Sequence, residues 1–343
     1  MGMDTRAILT WFDLFDWPLT PAEIPDSRFQ IPDSLITEGF ICSSGRERLV
    51  LVRRRKAILA WRKYRKARRW ARVLACVPWV RMIAIGNDLG YGNCSDASDI
   101  DLVIITAPKR VWFVRLCVVT LLRLFRQRPG EHTRDAICPS FFLTTEAMDL
   151  ESLQLPPQSS SRAERAGGER SREISHEVPR DPYLLFWVTQ LTVLFDRDGT
   201  YDAFWRANEQ WVRRWLPDAR PRAIHPRLCV GAPLILAPHA PPPTPPLEEG
   251  ERTPGGSGGK QKISPLPPQW RGAPARLWRE RGRWIGSAIE HWCRRFQERR
   301  FAPEVRALVN RDTRVIATDR MLKFHTNDRR QEYHDRWLQR LRV

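Results

Sequence analysis

Three short apolar runs, separated by one glycine-rich loop and one long apolar segment, constrain this chain most. "WVRMIAIG", from Trp79, reads as a strand, and "IDLVIIT", from Ile100, as a second. "PKRVWFVRLCVVTLLRLFRQR" has the length of a helix, and "AICPSFFLT", from Ala136, reads as a buried strand. This β–loop–β–α–β order predicts an α/β (α+β) core, a mixed sheet with packed helices. If the helix is a crossover, the strands that begin near Asp99 and Ala136 run parallel and start at one end of the sheet.

The loop between the first two strands carries the chemistry. It lies in "IGNDLGYGNCSDASDIDLVIIT", residues 85–106. Side chains alternate along a strand, so Asp99 and Asp101 point one way while Ile100, Leu102 and Ile104 point the other. Two carboxylates on one face repel unless a cation neutralises them. Mg²⁺ suits the pair, at one or two positions, because it takes hard oxygen ligands and leaves places for substrate phosphates; Mn²⁺ would serve as well. Gly86, Gly90 and Gly92 let backbone N–H groups approach phosphate oxygens, and Asn87, Ser95 and Ser98 add short polar side chains. Glycine loop, acidic pair and metal together describe phosphoryl or nucleotidyl transfer.

The stretch resembles the DNA polymerase beta-type nucleotidyltransferase superfamily. Its signature is a strand ending in Gly-Ser or Gly-Gly, a loop of about ten residues, then acid–apolar–acid at the start of the next strand. Gly86-Asn87 and Asp99-Ile100-Asp101-Leu102 match it, with Asn87 in place of Ser or Gly. The match spans about residues 70 to 150. It implies a nucleotidyltransferase-like fold, NTP as substrate, Asp99 and Asp101 as metal ligands, and Gly86, Asn87 and Ser98 around the nucleotide phosphates. It also implies a third carboxylate on a later strand. Asp135 is the candidate, just ahead of "AICPSFFLT"; that strand holds no acid, and Ser140 is its nearest polar substitute. More loosely, "LTWFDLFDWPLT", "DPYLLFWVTQLTVLFDRDGTYDAFWRAN" and "KFHTNDRR" look like an uncharacterised bacterial family containing this domain.

Around this core, residues 1–55 read as a winged-helix-like unit: a helix in "TRAILTWFDLFDW", a helix start at Thr20-Pro21, then two strands in "ITEGFICSSGRERLVLVRRR". The catalytic domain is 56–150 and a flexible connection 151–180. A helical region follows at 181–343, interrupted at 237–270 by a Pro- and Gly-rich insertion that cannot bury a core. Within that region, "DPYLLFWVTQLTVLF" and "YDAFWRANEQWVRRWL" read as helices joined by a tight turn at "DRDGT". Lys323, His325, Arg329 and Arg330 could meet an anion or form a packing motif at the start of a helix.

Composition narrows the partners. A net charge of +18 over 343 residues favours an anionic one. Residues 53–75 form a basic helix with one apolar face, able to follow a phosphate backbone or merely to be solvated. Seven widely spaced cysteines without a C-x-x-C predict neither disulfide partners nor a zinc site. The longest apolar run is cut by Arg115 and Arg123, so no membrane span is expected. A start without a basic-then-apolar leader predicts a cytoplasmic protein. The expected function is Mg²⁺-dependent transfer of an NMP group from an NTP to an acceptor hydroxyl. The alternative is a catalytically inactive nucleotidyltransferase-like protein that serves as a nucleic-acid-binding or protein-interaction module.

Overall fold

The computed structural model describes residues 2–24, 36–42, 45–131, 134–156, 178–231 and 287–342. In chain order the elements are α1 (Thr5–Asp13), a hairpin of β1 (Ile36–Thr37) and β2 (Phe40–Ile41), α2 (Arg48–Leu74), β3 (Val80–Ile85), α3 (Asn87–Gly90) and β4 (Ile100–Thr106). Then come α4 (Val111–Leu124), β5 (Ile137–Thr144), α5 (Pro182–Thr189), β6 (Thr192–Asp196), α6 (Thr200–Trp215), α7 (residues 287–298), α8 (Pro303–Leu308), β7 (Val315–Ala317), β8 (Met321–Phe324) and α9 (Arg330–Leu341).

Six strands make one mixed sheet in the order β6-β3-β4-β5-β8-β7. The β4–β5 pair is parallel, joined through the crossover helix α4; the other pairings are antiparallel. Ile100 is in register with Ile137, so both strands start at one edge, as the sequence order requires. Because a strand shows two faces, the sheet has two cores. Ile83, Ile85, Ile100, Leu102, Ile104 and Ile137 face α2 and α4. Met82, Ala84, Val103, Ile105 and Leu143 face α1, α5, α6 and α9.

Helix α2 lies against its core through Ala60, Ala67, Ala71 and Leu74, spaced to share one face, and the small alanines let it sit close to the sheet. The amides that open α4 have no local cap. Glu290 of α7 takes them, accepting from the N–H groups of Trp112 at 2.7 Å and Phe113 at 3.0 Å. The chain's two ends also meet: the Trp337 indole in α9 donates to the Ala7 carbonyl of α1 at 2.9 Å.

The structure corrects several expectations. "LVLVRRR" is helix rather than strand, because the long run of helix formers behind it carries α2 back to Arg48; the expected boundary at 55/56 falls inside that helix. The hairpin turns at Glu38 and Gly39, both with positive φ, instead of at Ser-Ser-Gly. The winged-helix reading also rests on residues 25–35, 43 and 44, outside the described residues. "LTVLF" does not continue a helix: Thr192–Asp196 is a strand that completes the sheet beside β3. The DRDGT turn therefore joins a strand to a helix, with Gly199 at φ 67°. The β7–β8 hairpin was not anticipated. Within the expected helical region 181–343, helix α7 spans 287–298, and the insertion at 237–270 lies outside the described residues. The seven cysteines are free, and no helix among the described residues is long and apolar enough to cross a membrane.

Candidate active site

Strand β3 ends at Ile85 and the chain turns at Gly86. A Cβ at Gly86 would press on the Trp187 indole, whose Nε1 lies 3.0 Å away, so any other residue at this turn would push α5 outward by a few tenths of an ångström. Asn87 follows in the left-handed region, at φ 52°. Its Oδ1 accepts from Trp187 Nε1 at 3.0 Å and from the Tyr183 hydroxyl at 3.3 Å. With that oxygen taken by donors, its amide nitrogen is the group left to act on Asp101, whose carboxyl it lowers. Two aromatic side chains of α5 thus aim one amide at one carboxylate.

Asp101 lies on β4 and Asp99 just before it. Burial pushes the Asp101 carboxyl up to about 6, against the lowering effect of the Asn87 amide, and the nearby charges of Asp99 and Asp88 add to the rise. Asp99 is raised too, by burial, with Lys63 working the other way. Two acids held near each other at this cost are an arrangement that a cation would relieve. Among the described residues, no group of three or more His, Cys, Asp or Glu side chains is arranged to hold a metal ion by itself. The donor set nonetheless fits Mg²⁺, which binds through one or two carboxylates plus substrate phosphates.

Asp135 stands at the start of β5, at the expected edge, but its carboxylate is engaged elsewhere. Lys63 Nζ donates to it at 2.6 Å, and Arg62 donates through Nε and Nη2 at 2.9 Å each. Burial alone would raise the Asp135 carboxyl; these two cations outweigh it and hold it below its usual value. Lys63, fully buried, also binds the Ser98 carbonyl and so ties the acid-bearing loop to α2. Ser98 itself donates Oγ to the Ser95 carbonyl at 2.9 Å, within its own loop.

Two residues escaped the sequence reading. Cys138 is the register partner of Asp101 on β5 and lies beside it; burial, then Asp101, pushes the thiol up to about 12. Ser140, the substitute expected on that strand, is skipped where the register shifts from Pro139 to Phe141. The second is Asp88, on the first turn of α3. Its Oδ1 accepts from the Tyr91 hydroxyl at 3.0 Å, and it acts electrostatically on Asp101, Tyr183 and Tyr333. Asp88 keeps one side open to solvent, while Phe15, Tyr91 and Tyr183 crowd the others, and the crowding raises its carboxyl. An acid two residues after the turning glycine was the available signal.

Beside Asn87 opens a cavity of about 210 Å³, with Phe141, Tyr183, Trp187 and Tyr333 among its walls and Lys323 and His325 opposite. The "KFHTNDRR" segment borders the site, yet its charges are largely internal. Arg330 is paired with Asp181 at 2.6 Å and Asp328 at 2.8 Å, and Arg329 with Glu332 at 2.7 Å. Burial, with help from Lys323, pushes His325 down to about 4, so its imidazole is neutral at physiological pH. The packing role is the one these contacts show.

Comparison of the chain with family models, with curated proteins and with solved structures gave no match.

Proposed function

We propose that the protein is a Mg²⁺-dependent nucleotidyltransferase acting on an NTP. The observation that supports this reading most is the Asp99–Asp101 pair at the mouth of β4, with the Asn87 amide of the glycine turn that ends β3 acting on Asp101. That is the disposition which the resemblance to the DNA polymerase beta-type superfamily implies. Asp99 and Asp101 would hold the metal, whose positive charge would offset the charge gathering on the phosphates. The Gly86–Asn87 turn would line the β- and γ-phosphates, and Asn87 would keep Asp101 aligned. An acceptor hydroxyl would attack the α-phosphorus: the new O–P bond forms as the bond to pyrophosphate breaks, and the hydroxyl proton leaves to a base. Asp88, with Oδ2 free of the Tyr91 contact and its carboxyl raised, is the group we assign to that proton.

One observation favours a second reading, an inactive nucleotidyltransferase-like binding module. Asp135 is committed to Arg62 and Lys63, and Cys138 occupies the β5 position beside Asp101. Pyrophosphate release from each of the four NTPs, with Mg²⁺ and with water or cell RNA as acceptor, separates the two. Release that Asp101→Asn abolishes supports the enzyme; NTP binding without release supports the module.

A further inference from the structure

Helix α2 holds the acid-bearing loop with one face and shows solvent a different chemistry with the other. Lys56 donates to Asn93, Tyr64 to the Leu89 carbonyl and Lys63 to Asp135, all on the inner side. Outward, Arg55, Arg65, Arg69 and Arg72 are exposed and have no carboxylate partner among the described residues. Arg65 and Arg69 are four residues apart and Arg72 three further on, so the stripe contains like-charge neighbours that disfavour the helix. A merely solvated face would intersperse acids. This one instead carries Ile58, 74% exposed, and Trp61, 39% exposed.

A second segment extends the surface. Residues 220–227 are all exposed, and His225 meets the Trp61 ring edge-on at 6.0 Å. Arg222 pins the segment to the far side of the active-site loop, donating to the Gln190 carbonyl and Thr192 Oγ1 at 3.0 Å each, and to the Gly90 carbonyl. Arg220 and Arg227 remain unpaired among the described residues. From Arg55 to Arg72 the stripe is about 26 Å long at a rise of about 1.5 Å per residue. That matches about seven stacked nucleotides at about 3.4 Å each.

We propose that the outer stripe of α2, together with residues 220–227, binds a nucleic-acid single strand. The arginines meet successive phosphates, while Trp61 and His225 offer faces on which bases stack. The surface is independent of the metal and of turnover.

Fluorescence anisotropy of the full chain with a labelled 12-nucleotide RNA or DNA, in EDTA between 50 and 300 mM KCl, tests it. EDTA separates this result from any failure of the nucleotidyltransferase reading. With about four phosphates neutralised, the logarithm of affinity falls against that of salt with a slope of about −3. Arg65→Gln/Arg69→Gln makes the slope shallower by about 1.4. Trp61→Ala weakens binding about tenfold and leaves the slope in place. The tighter of the RNA and DNA arms names the strand. No binding to either at 50 mM KCl overturns the proposal. So does a slope unmoved by the arginine variant, or binding to phosphatidylserine vesicles in place of both oligonucleotides.

Discussion

The Trp187 indole donates to Asn87 Oδ1 at 3.0 Å, and through that contact α5 sets the angle of the amide that acts on Asp101. Trp187→Phe keeps the ring and loses the donor. The amide is then held by the longer Tyr183 hydrogen bond, 3.3 Å, at a cost of about 1 kcal/mol. Mg²⁺–NTP affinity is expected to fall about fivefold with the melting temperature nearly unchanged, which calorimetry and a thermal melt read separately. Gly86→Ala should do more damage, because its methyl meets that indole at 3.0 Å and the Val103 side chain at 3.2 Å; an expected loss of about 1–3 kcal/mol shows in a urea melt.

The raised Asp101 carboxyl makes stability depend on pH. With its folded value at about 6 and its unfolded value near 3.9, the folded chain binds more protons between the two, so this residue's contribution falls as pH rises through that window. Asp101→Asn removes the cost of ionisation, and its melting temperature at pH 7.5 should exceed that of the parent by a few degrees, the gain vanishing at pH 4. His325 works oppositely: its folded value of about 4 lies below its unfolded one, so its contribution is lost as pH falls from about 6.5. His325→Gln should therefore flatten the acid side of the melting profile and leave pH 7.5 unchanged.

Lys63 and Asp135 form a buried pair at 2.6 Å. Asp135→Asn leaves the fully buried Lys63 without a counter-charge, so it should cost about 3–5 kcal/mol. Lys63→Met/Asp135→Asn should recover much of that loss in a chemical-denaturation cycle. A double variant no more stable than the single would contradict the pairing.

Trp337 joins the two ends of the chain, buried between α9 and α1 with its indole on the Ala7 carbonyl. Trp337→Ala should cost about 3–5 kcal/mol and expose α1 to proteolysis first, a sequence of cuts that mass spectrometry can follow.

The β3, β4 and β5 centre of the sheet was legible because these strands are continuous apolar runs and a single crossover lays β5 parallel to β4. Asp99 and Asp101 were legible because strand alternation is local. What escaped depends on partners far along the chain. "TVLF" is apolar enough to prolong α5, and only the open edge of β3 makes it a strand. Asp135 looked like a third ligand until α2, over 70 residues earlier, supplied Arg62 and Lys63. Cys138 faces Asp101 through strand register, which a bulge at Ser140 sets and no periodicity reveals. Asp88 was in plain sight in the loop, but its place in the cleft needs Tyr91 and Tyr183 around it.

The proposed activity needs a cation and a triphosphate to meet at Asp99 and Asp101. Titration calorimetry of the four NTPs against the full chain, with Mg²⁺ and with EDTA, tests that directly. The expected result is binding of at least one NTP in Mg²⁺ that disappears in EDTA and in Asp99→Ala/Asp101→Ala. Binding of none, or equal binding by the double variant, would contradict it.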